Sequence, residues 1–252
     1  MAFDNFFAYS LAGASATSGT GSSGSGSGSG SGGDPTTVAG LQLWVDATDA
    51  STITTSGTQV TQWDDKSGNG NNITSDLGSP QLGTDSVVFD GNDALTIDQP
   101  RFSGNEPRSV FISLNCDSGS DVLFAWSFGE FSSNALFSLR IDRDNDALHL
   151  FNHGAGGTNA PSGSFTIYDQ YCVIQVDYNG TDCKIYLNNV ELISNTYAYS
   201  TSNATGGLLG RGVPTGSSFP FFDGEIRDFV VYNSSLSASD RDTVYNYLAS
   251  KI

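Results

Sequence analysis

Short runs in which apolar and polar residues alternate recur through residues 38–252, with turn-forming residues between them. Alternation with a period of two is typical of strands that bury one face. Residues 41–45 alternate, and further short strands bounded by turn residues are residues 86–89, 94–97, 109–114 and 122–128. The pattern therefore predicts an all-β domain built from short antiparallel strands.

One hairpin is predicted from residues 135–143 and 146–152, with Asp144 and Asn145 at its tip. In this register Arg140 faces His149 on a polar face, and leucine and isoleucine pairs line the opposite face. We expect the apolar face to meet a core and the polar face to be exposed.

A second hairpin contains Cys172 and Cys183, which flank an Asn-Gly pair. A two-residue turn there places Cys172 opposite Leu187 and Val176 opposite Cys183, so the two thiols are out of step and no disulfide is predicted. Both cysteines share an apolar face and are expected in the core. Because the chain has an odd number of cysteines, the sequence favours synthesis in a reducing cytoplasm.

The last predicted strand, residues 222–232, should place Ile226, Asp228 and Val230 on one face and Phe229 and Val231 on the other. One helix is then predicted to begin at Ser237, whose side chain can bond the amide of Asp240. The residues that recur at helical spacing and should pack this helix on the sandwich are Val244, Tyr247, Leu248 and Ile252.

Three parts are predicted along the chain, with boundaries at 1–17, 18–37 and 38–252. Residues 18–33 are all Gly, Ser or Thr, and such a run behaves as a flexible tether spanning roughly 20–24 Å. The leader before it carries the candidate anchoring residues Phe3, Phe6, Phe7 and Tyr9, which indicate a docking peptide for another protein. The alternatives are a frayed tail, an engineered Ser-Gly linker, or a signal peptide, although the leader lacks a basic start.

The net charge of the chain argues against two classes of binding function. The formal net charge is -17, so binding to nucleic acid or to an anionic membrane surface is not expected. No run approaches the roughly 20 apolar residues of a membrane-spanning helix. The acidic residues are nearly all Asp, with Glu only at 106, 130, 191 and 225, and Asp is typical of turns.

Five segments, in their order along the chain, resemble the laminin-G-like group of concanavalin A-like jelly rolls. The segments are residues 41–47, the Trp-Asp-Asp-Lys-Ser-Gly-Asn-Gly turn at 63–70, the Phe-Asp-Gly-Asn-Asp turn at 89–93, the hairpin at 171–192, and the closing strand and helix from 222 onward. The resemblance implies a sandwich of two antiparallel sheets with roughly a dozen strands and one C-terminal helix. Members mostly bind glycans or proteins, often with calcium, and fold alone does not fix function.

The residues that could bind a ligand fall into two groups, one for calcium and one for glycans. Asp64, Asp65, Asn69 and Asn71 offer oxygen ligands for calcium, the one cofactor that the sequence suggests, although capping of their own turn is the favoured interpretation. Glycan binding requires aromatic platforms beside polar groups. The candidates for it are Arg140, His149, Phe151, Tyr197, Tyr199 and Arg211. Trp44, Trp63 and Trp126 lie among apolar residues and are expected in the core.

An enzyme is not expected, because no Glu-x-Asp-x-x-Glu pattern occurs and the four Glu lie far apart in the sequence. Asp142, Asp144 and Asp146 alternate, but around a hairpin tip rather than within a strand. The family recurs on bacteriophage virions, so the favoured hypothesis is a virion surface protein: a head fibre, decoration or tail-fibre component that binds host glycans. Its partners would be other virion proteins, and fibres are often homotrimers. The alternative hypothesis is a bacterial surface or secreted carbohydrate-binding module.

Overall fold

Seventeen strands and one α-helix make up the computed structural model over the residues it describes, which are 33–132, 134–152, 158–159, 168–212 and 220–252. The strands are β1 Leu41–Asp46, β2 Ile53–Ser56, β3 Gln59–Trp63, β4 Ile73–Leu77, β5 Gln81–Leu82, β6 Val87–Asp90, β7 Ala94–Ile97, β8 Arg108–Cys116, β9 Val122–Gly129, β10 Leu136–Asp142, β11 Ala147–Phe151, β12 Thr158–Asn159, β13 Tyr171–Tyr178, β14 Asp182–Leu187, β15 Val190–Thr196, β16 Gly207–Leu209 and β17 Asp223–Tyr232; the helix is α1 Ala238–Ala249. Short 3₁₀ helices span Pro35–Thr37 and Ala50–Thr52. The leader with Phe3, Phe6, Phe7 and Tyr9, and the tether as far as residue 32, lie outside the described residues.

The strands form two antiparallel layers. In the first layer the order is β5-β6-β17-β8-β13-β14-β15, and β1 continues the edge of β17 beyond β6. In the second layer the order is β2-β3-β4-β7-β16-β9-β10-β11-β12. A single pairing between β3 and β5 joins the layers at one edge. The predicted jelly-roll sandwich is confirmed, and short edge strands account for the additional strands.

The core lies between the layers and follows from the alternation of the strands. Along β8, Val110, Ile112 and Leu114 enter it from the first layer, and Trp63 and Trp126 enter it from the second. Each fully buried large apolar side chain contributes roughly 1.5–3 kcal/mol relative to exposure. The prediction of core tryptophans is confirmed.

The hairpin of β10 and β11 has the predicted register, with Arg140 opposite His149. Its polar face is less exposed than we predicted. Ser138 and Asp142 on that face are buried, and the Arg140 and His149 side chains are only 25% and 12% exposed.

The hairpin of β13 and β14 has a register that differs by two residues from the prediction. Tyr178 pairs with Cys183 and Val176 pairs with Ile185. The turn is longer than two residues because Asn179 Oδ1 accepts hydrogen bonds from the amides of Thr181 and Asp182, at 2.9 and 2.7 Å. A shift of two keeps every side chain on its predicted face, so the cysteines still enter the core.

All three cysteines are buried and free of disulfides. Burial raises the pKa of Cys116 and of Cys172 to about 12, and raises that of Cys183 as well. Each thiol therefore stays protonated at neutral pH and acts as a small core hydrophobe.

The faces predicted for β17 are wrong over its first half. A β-bulge between Ile226 and Asp228 adds one residue against β8. As a result Ile226 shares the core with Phe229 and Val231, whereas Val230 points to the opposite side of the layer.

Helix α1 packs on the outer face of the first layer. Ser237 caps it as predicted, accepting a hydrogen bond from the Asp240 amide at 3.2 Å. Val244 and Leu248 are buried against Trp44 and Phe111. Ile252, which we predicted on the same face, is 44% exposed because the helix ends before it. No helix in the described part of the chain is long and apolar enough to cross a membrane.

Candidate functional site

Arg140 and His149 lie side by side on the outer face of the second layer and converge on one carboxylate. Arg140 Nη2 is 2.9 Å from Asp142 Oδ2, and His149 Nε2 is 3.6 Å from the same oxygen. Asn145 donates to Asp142 Oδ1 at 3.0 Å. This group can hold an arginine and a histidine in fixed positions for hydrogen bonding.

Two further candidates lie in the same part of the fold. Phe151 follows His149 on β11 and meets Phe124 edge to face, with ring centroids 5.5 Å apart. Arg211 pairs with Phe221 across an isolated bridge, and its guanidinium lies 4.7 Å from the Phe221 ring centroid. Arg211 is only 8% exposed, so its stacked guanidinium has little surface for a ligand.

The candidate tyrosines belong to a different cluster. Tyr199 is 2% exposed and packs edge to face on Phe137 and Tyr178, at centroid distances of 5.0 and 5.2 Å. The interpretation of Tyr199 as an exposed platform is therefore wrong, because its ring completes the core. Tyr197 is half-buried, and its hydroxyl donates to Asn134 Oδ1 at 3.1 Å and accepts from Asn152 Nδ2 at 3.2 Å.

Asp65, a candidate calcium ligand, organises the turn after β3. Its Oδ1 accepts from the amides of Trp44 and Ser67, at 2.9 and 2.8 Å. Its Oδ2 accepts from the Ser67 hydroxyl at 2.7 Å and from the Asn71 amide at 2.9 Å. Both oxygens are engaged, and the turn is thereby fixed to β1.

The other three calcium candidates also bond within this turn or to the adjacent strands β1 and β3. Asp64 Oδ1 accepts from Gln62 and Asn72, at 2.6 and 2.8 Å. The side-chain amides of Asn69 and Asn71 donate to the carbonyl of Gln42, at 3.1 and 2.8 Å. Over the described ranges, no group of three or more His, Cys, Asp or Glu side chains is placed to hold a metal ion.

A cleft of about 320 Å³ lies where β1 begins and β17 ends, beside the loop that leads into β8. Its apolar walls are Pro100, Phe102 and Pro107. Its polar residues are Gln42, Arg101, Glu106 and Asn233. This combination of apolar surface with a few polar groups is typical of small-molecule sites.

The cleft is not apparent from the sequence because its walls are far apart in the chain. Pairing of β1 with β17 sets Leu41 opposite Tyr232, which brings Gln42 near Asn233. Pairing of β17 with β8 sets Tyr232 opposite Ser109, which adds the loop before β8. The one local signal is the segment from Pro100 to Pro107, where prolines bound an arginine, a phenylalanine and a glutamate.

Solved structures share this fold at low sequence identity. A Trypanosoma rangeli sialidase bound to 2,3-difluorosialic acid is 11% identical with a TM-score of 0.60; the match covers 85% of this chain and 33% of the sialidase. This chain thus spans about a third of the sialidase chains it matches. Domain 4 of AbnA, an extracellular arabinanase from Geobacillus stearothermophilus in complex with arabinotriose, is 18% identical with a TM-score of 0.57, covering 81% of this chain and 98% of that domain.

A third structure concerns botulinum neurotoxin type C, whose cell entry is described as dependent on two ganglioside molecules. It is 15% identical with a TM-score of 0.57, covering 83% of this chain and 51% of that one. No curated protein matches the sequence. The family model Laminin_G_3, of the concanavalin A-like lectin/glucanases superfamily, matches residues 89–240. Since this match covers more than half of the sequence, the chain belongs to the laminin-G-like group of the concanavalin A-like lectin/glucanase superfamily.

Proposed function

We propose that this chain is a non-enzymatic virion surface protein, a head fibre, decoration or tail-fibre component, whose jelly-roll domain binds glycans on the host surface. The observation that carries the proposal is the lectin-like fold, shared with a domain that was solved with arabinotriose. Fold alone does not fix function, so the binding must be measured on this chain.

The order of leader, Gly/Ser run and jelly roll along the chain supports a role in which the jelly roll is exposed on the virion surface. A leader with four aromatic residues precedes a Gly/Ser run, and the jelly roll follows. The leader would dock on other virion proteins and the tether would give the head reach. Many copies on one particle would raise the avidity of weak individual sites.

A binding role rather than catalysis is supported by the local contacts of the glutamates. Glu106 accepts from the Ser103 amide, Glu191 binds Lys184, and Glu225 accepts from the Tyr171 hydroxyl. These carboxylates lie on a loop, on β15 and on β17, and each stabilises its own surroundings. Retaining glycosidases need two carboxylates about 5–5.5 Å apart.

Glycan binding is tested with a glycan array probed by the full chain, with and without a calcium chelator. We expect binding to a restricted set of glycans. A calcium requirement would appear as loss of that binding in chelator. An array without any bound glycan under both conditions would contradict the proposal.

The virion role is tested by mass spectrometry of purified particles, where we expect the chain to be present. A matched experiment compares the full chain with one that begins at Pro35, which lacks leader and tether but keeps the Pro35 carbonyl that accepts a hydrogen bond from the buried Tyr232 hydroxyl. We expect only the full chain to join particles. Incorporation of the shortened chain would contradict docking through the leader.

The second candidate is a bacterial surface or secreted carbohydrate-binding module. It is favoured by the 98% coverage of the arabinanase domain, since that domain is part of an extracellular enzyme. Absence of the chain from purified particles, together with glycan binding, would select this alternative.

A further inference from the structure

We propose that the cleft between Gln42, Asn233 and the loop at 98–107 is a binding site for a neutral saccharide. This inference rests on the proposed glycan binding and assigns it to a place that the sequence candidates do not include. Four features of the cleft carry it: a fixed wall, available polar groups, apolar surface and local charge.

The loop wall is fixed by hydrogen bonds before any ligand arrives. Gly104 and Thr201 exchange two backbone bonds, at 2.8 and 3.0 Å. Arg101 donates to the Ala204 carbonyl at 3.0 Å and to Asp98 Oδ1 at 2.6 Å. A preformed wall lowers the entropy cost of binding, which matters for a weakly binding sugar.

Several polar side chains around the cleft have a hydrogen-bond donor or acceptor that makes no bond within the described part of the protein. In the structure as described, the side-chain amide of Asn233 makes no hydrogen bond, and it is exposed. Glu106 uses Oε2 for the Ser103 amide at 2.8 Å, which leaves Oε1 to accept. Gln42 donates to nearby carbonyls through Nε2, which leaves its Oε1 to accept. Amide and carboxylate groups of this kind can pair with neighbouring sugar hydroxyls, each of which both donates and accepts.

The apolar part of the cleft can meet the C–H face of a sugar ring through Pro107, which is exposed. Pro100 and Phe102 are buried and form the floor beneath it. Phe102 is held in place edge to face by Phe128, at a centroid distance of 5.2 Å, and by the guanidinium of Arg108 at 4.7 Å. A volume of about 320 Å³ is at the lower end of the usual range for ligand sites, so the cleft fits the end of a glycan rather than a long stretch.

The charge of the cleft selects against acidic sugars. Arg101 is neutralised by its ion pair with Asp98. The exposed carboxylate of Glu106 forms no ion pair among the described residues, and the cation that attracts it, Arg108, is fully buried behind Phe102. The chain as a whole carries a formal charge of -17. A sialylated or sulfated ligand would meet repulsion from both sources, and a neutral saccharide would not.

The test is a paired glycan array in which each neutral oligosaccharide is printed beside its sialylated form. The full chain is compared with Asn233→Ala and Gln42→Ala, and with Asn92→Ala as a matched control in the exposed turn between β6 and β7, at the opposite end of β17. We expect neutral members to bind and sialylated members to bind more weakly. We also expect each cleft variant to lose binding by about tenfold, while Asn92→Ala binds as the parent does.

A further variant, Glu106→Gln, keeps the size of the side chain and removes its charge. We expect it to reduce the difference between neutral and sialylated partners by about tenfold, while thermal unfolding by circular dichroism confirms that all variants are folded. If the parent chain binds glycans and the cleft variants bind equally well, the cleft assignment is wrong and the proposed function stands. If sialylated members bind better than neutral ones, the charge argument is wrong. If no printed glycan binds the parent chain, both proposals fail.

Discussion

Two lysines and three aspartates link the end of the chain to the turn after β1. Lys251 Nζ lies 2.5 Å from Asp228 Oδ1 and 2.7 Å from Asp46 Oδ1. Lys66 Nζ lies 3.1 Å from Asp46 Oδ2 and 3.0 Å from Asp49 Oδ2. Asp228 is fully buried beneath α1, and burial raises its pKa to about 6 despite the nearby lysine.

The raised pKa of Asp228 predicts a specific pH dependence of stability. In the unfolded chain the pKa is 3.8, so between about pH 4 and pH 6 the folded state holds more protons, and its stability falls as the pH rises. Above pH 6 the ionised, buried carboxylate costs about 3 kcal/mol. We therefore expect the free energy of unfolding of the parent chain, minus that of Asp228→Asn, to be larger at pH 4.5 than at pH 7.5.

Urea unfolding at the two pH values measures this difference directly. The Asn variant is itself the control, because it retains every other titrating group. A difference that is the same at both pH values would show that burial does not govern the protonation of Asp228.

A second prediction concerns Asp65, which lies with the other candidate calcium ligands in the turn after β3. Asp65→Ala removes four hydrogen bonds, three of them donated by the amides of Trp44, Ser67 and Asn71, so we expect a loss of about 2–4 kcal/mol in the free energy of unfolding. Asp64→Ala is the matched control, because Asp64 accepts only two side-chain donors, and we expect less than about 1 kcal/mol.

The melting temperature, measured with and without a calcium chelator, tests whether Asp65 binds a metal ion or only builds the turn. We expect the melting temperature of the parent chain to be unaffected by chelator, since both oxygens of Asp65 are occupied by the turn. A clear drop in chelator, or equal losses in the two variants, would favour a metal ligand over a turn-building residue.

At the scale of elements, alternation and turn signals predicted which strands form, because those signals are local. The register of β10 with β11 followed from the hairpin tip. The register of β13 with β14 did not, because Asn179 Oδ1 accepts hydrogen bonds from two later amides and the turn is longer than the two residues that composition alone assigned to it. The bulge in β17 depends on the pairing with β8 and is not visible along one strand.

The placement of the candidate site residues could likewise be predicted only where their contacts are local in the sequence. Arg140 and His149 were placed together correctly because both belong to one hairpin. The burial of Tyr199 depends on Phe137 and Tyr178, which precede it by many residues. The cleft depends on three strands from opposite ends of the domain. Contacts within a hairpin can be predicted when the length of its turn is identified correctly, and contacts between distant strands are not visible in the local pattern.

Helix α1 supplies the prediction at this scale. Leu248 is fully buried against the first layer, so Leu248→Ala should lower the free energy of unfolding by about 2–4 kcal/mol. Ile252→Ala is the control on the same predicted stripe, and because Ile252 is 44% exposed we expect a change below about 1 kcal/mol. Chemical denaturation followed by tryptophan fluorescence measures both, and similar losses would contradict the observed end of the helix.

At the scale of the whole molecule, the strongly acidic jelly roll and the Gly/Ser run have different roles in the proposed function. The acidic head would be kept from phosphate-rich polymers and surfaces by its charge of -17, which favours recognition of uncharged groups. The tether would let each head search a volume set by its flexible span of roughly 20–24 Å. Affinity for one glycan can then be low without loss of attachment, because copies act together.

The most direct test of the proposed function is binding of the labelled full chain to intact bacterial cells of several surface types, before and after mild periodate oxidation of their glycans. We expect binding to at least one cell type, and we expect oxidation to abolish it while leaving surface proteins intact. Binding that survives oxidation, or the absence of binding to every cell type, would contradict a glycan-binding role for this domain.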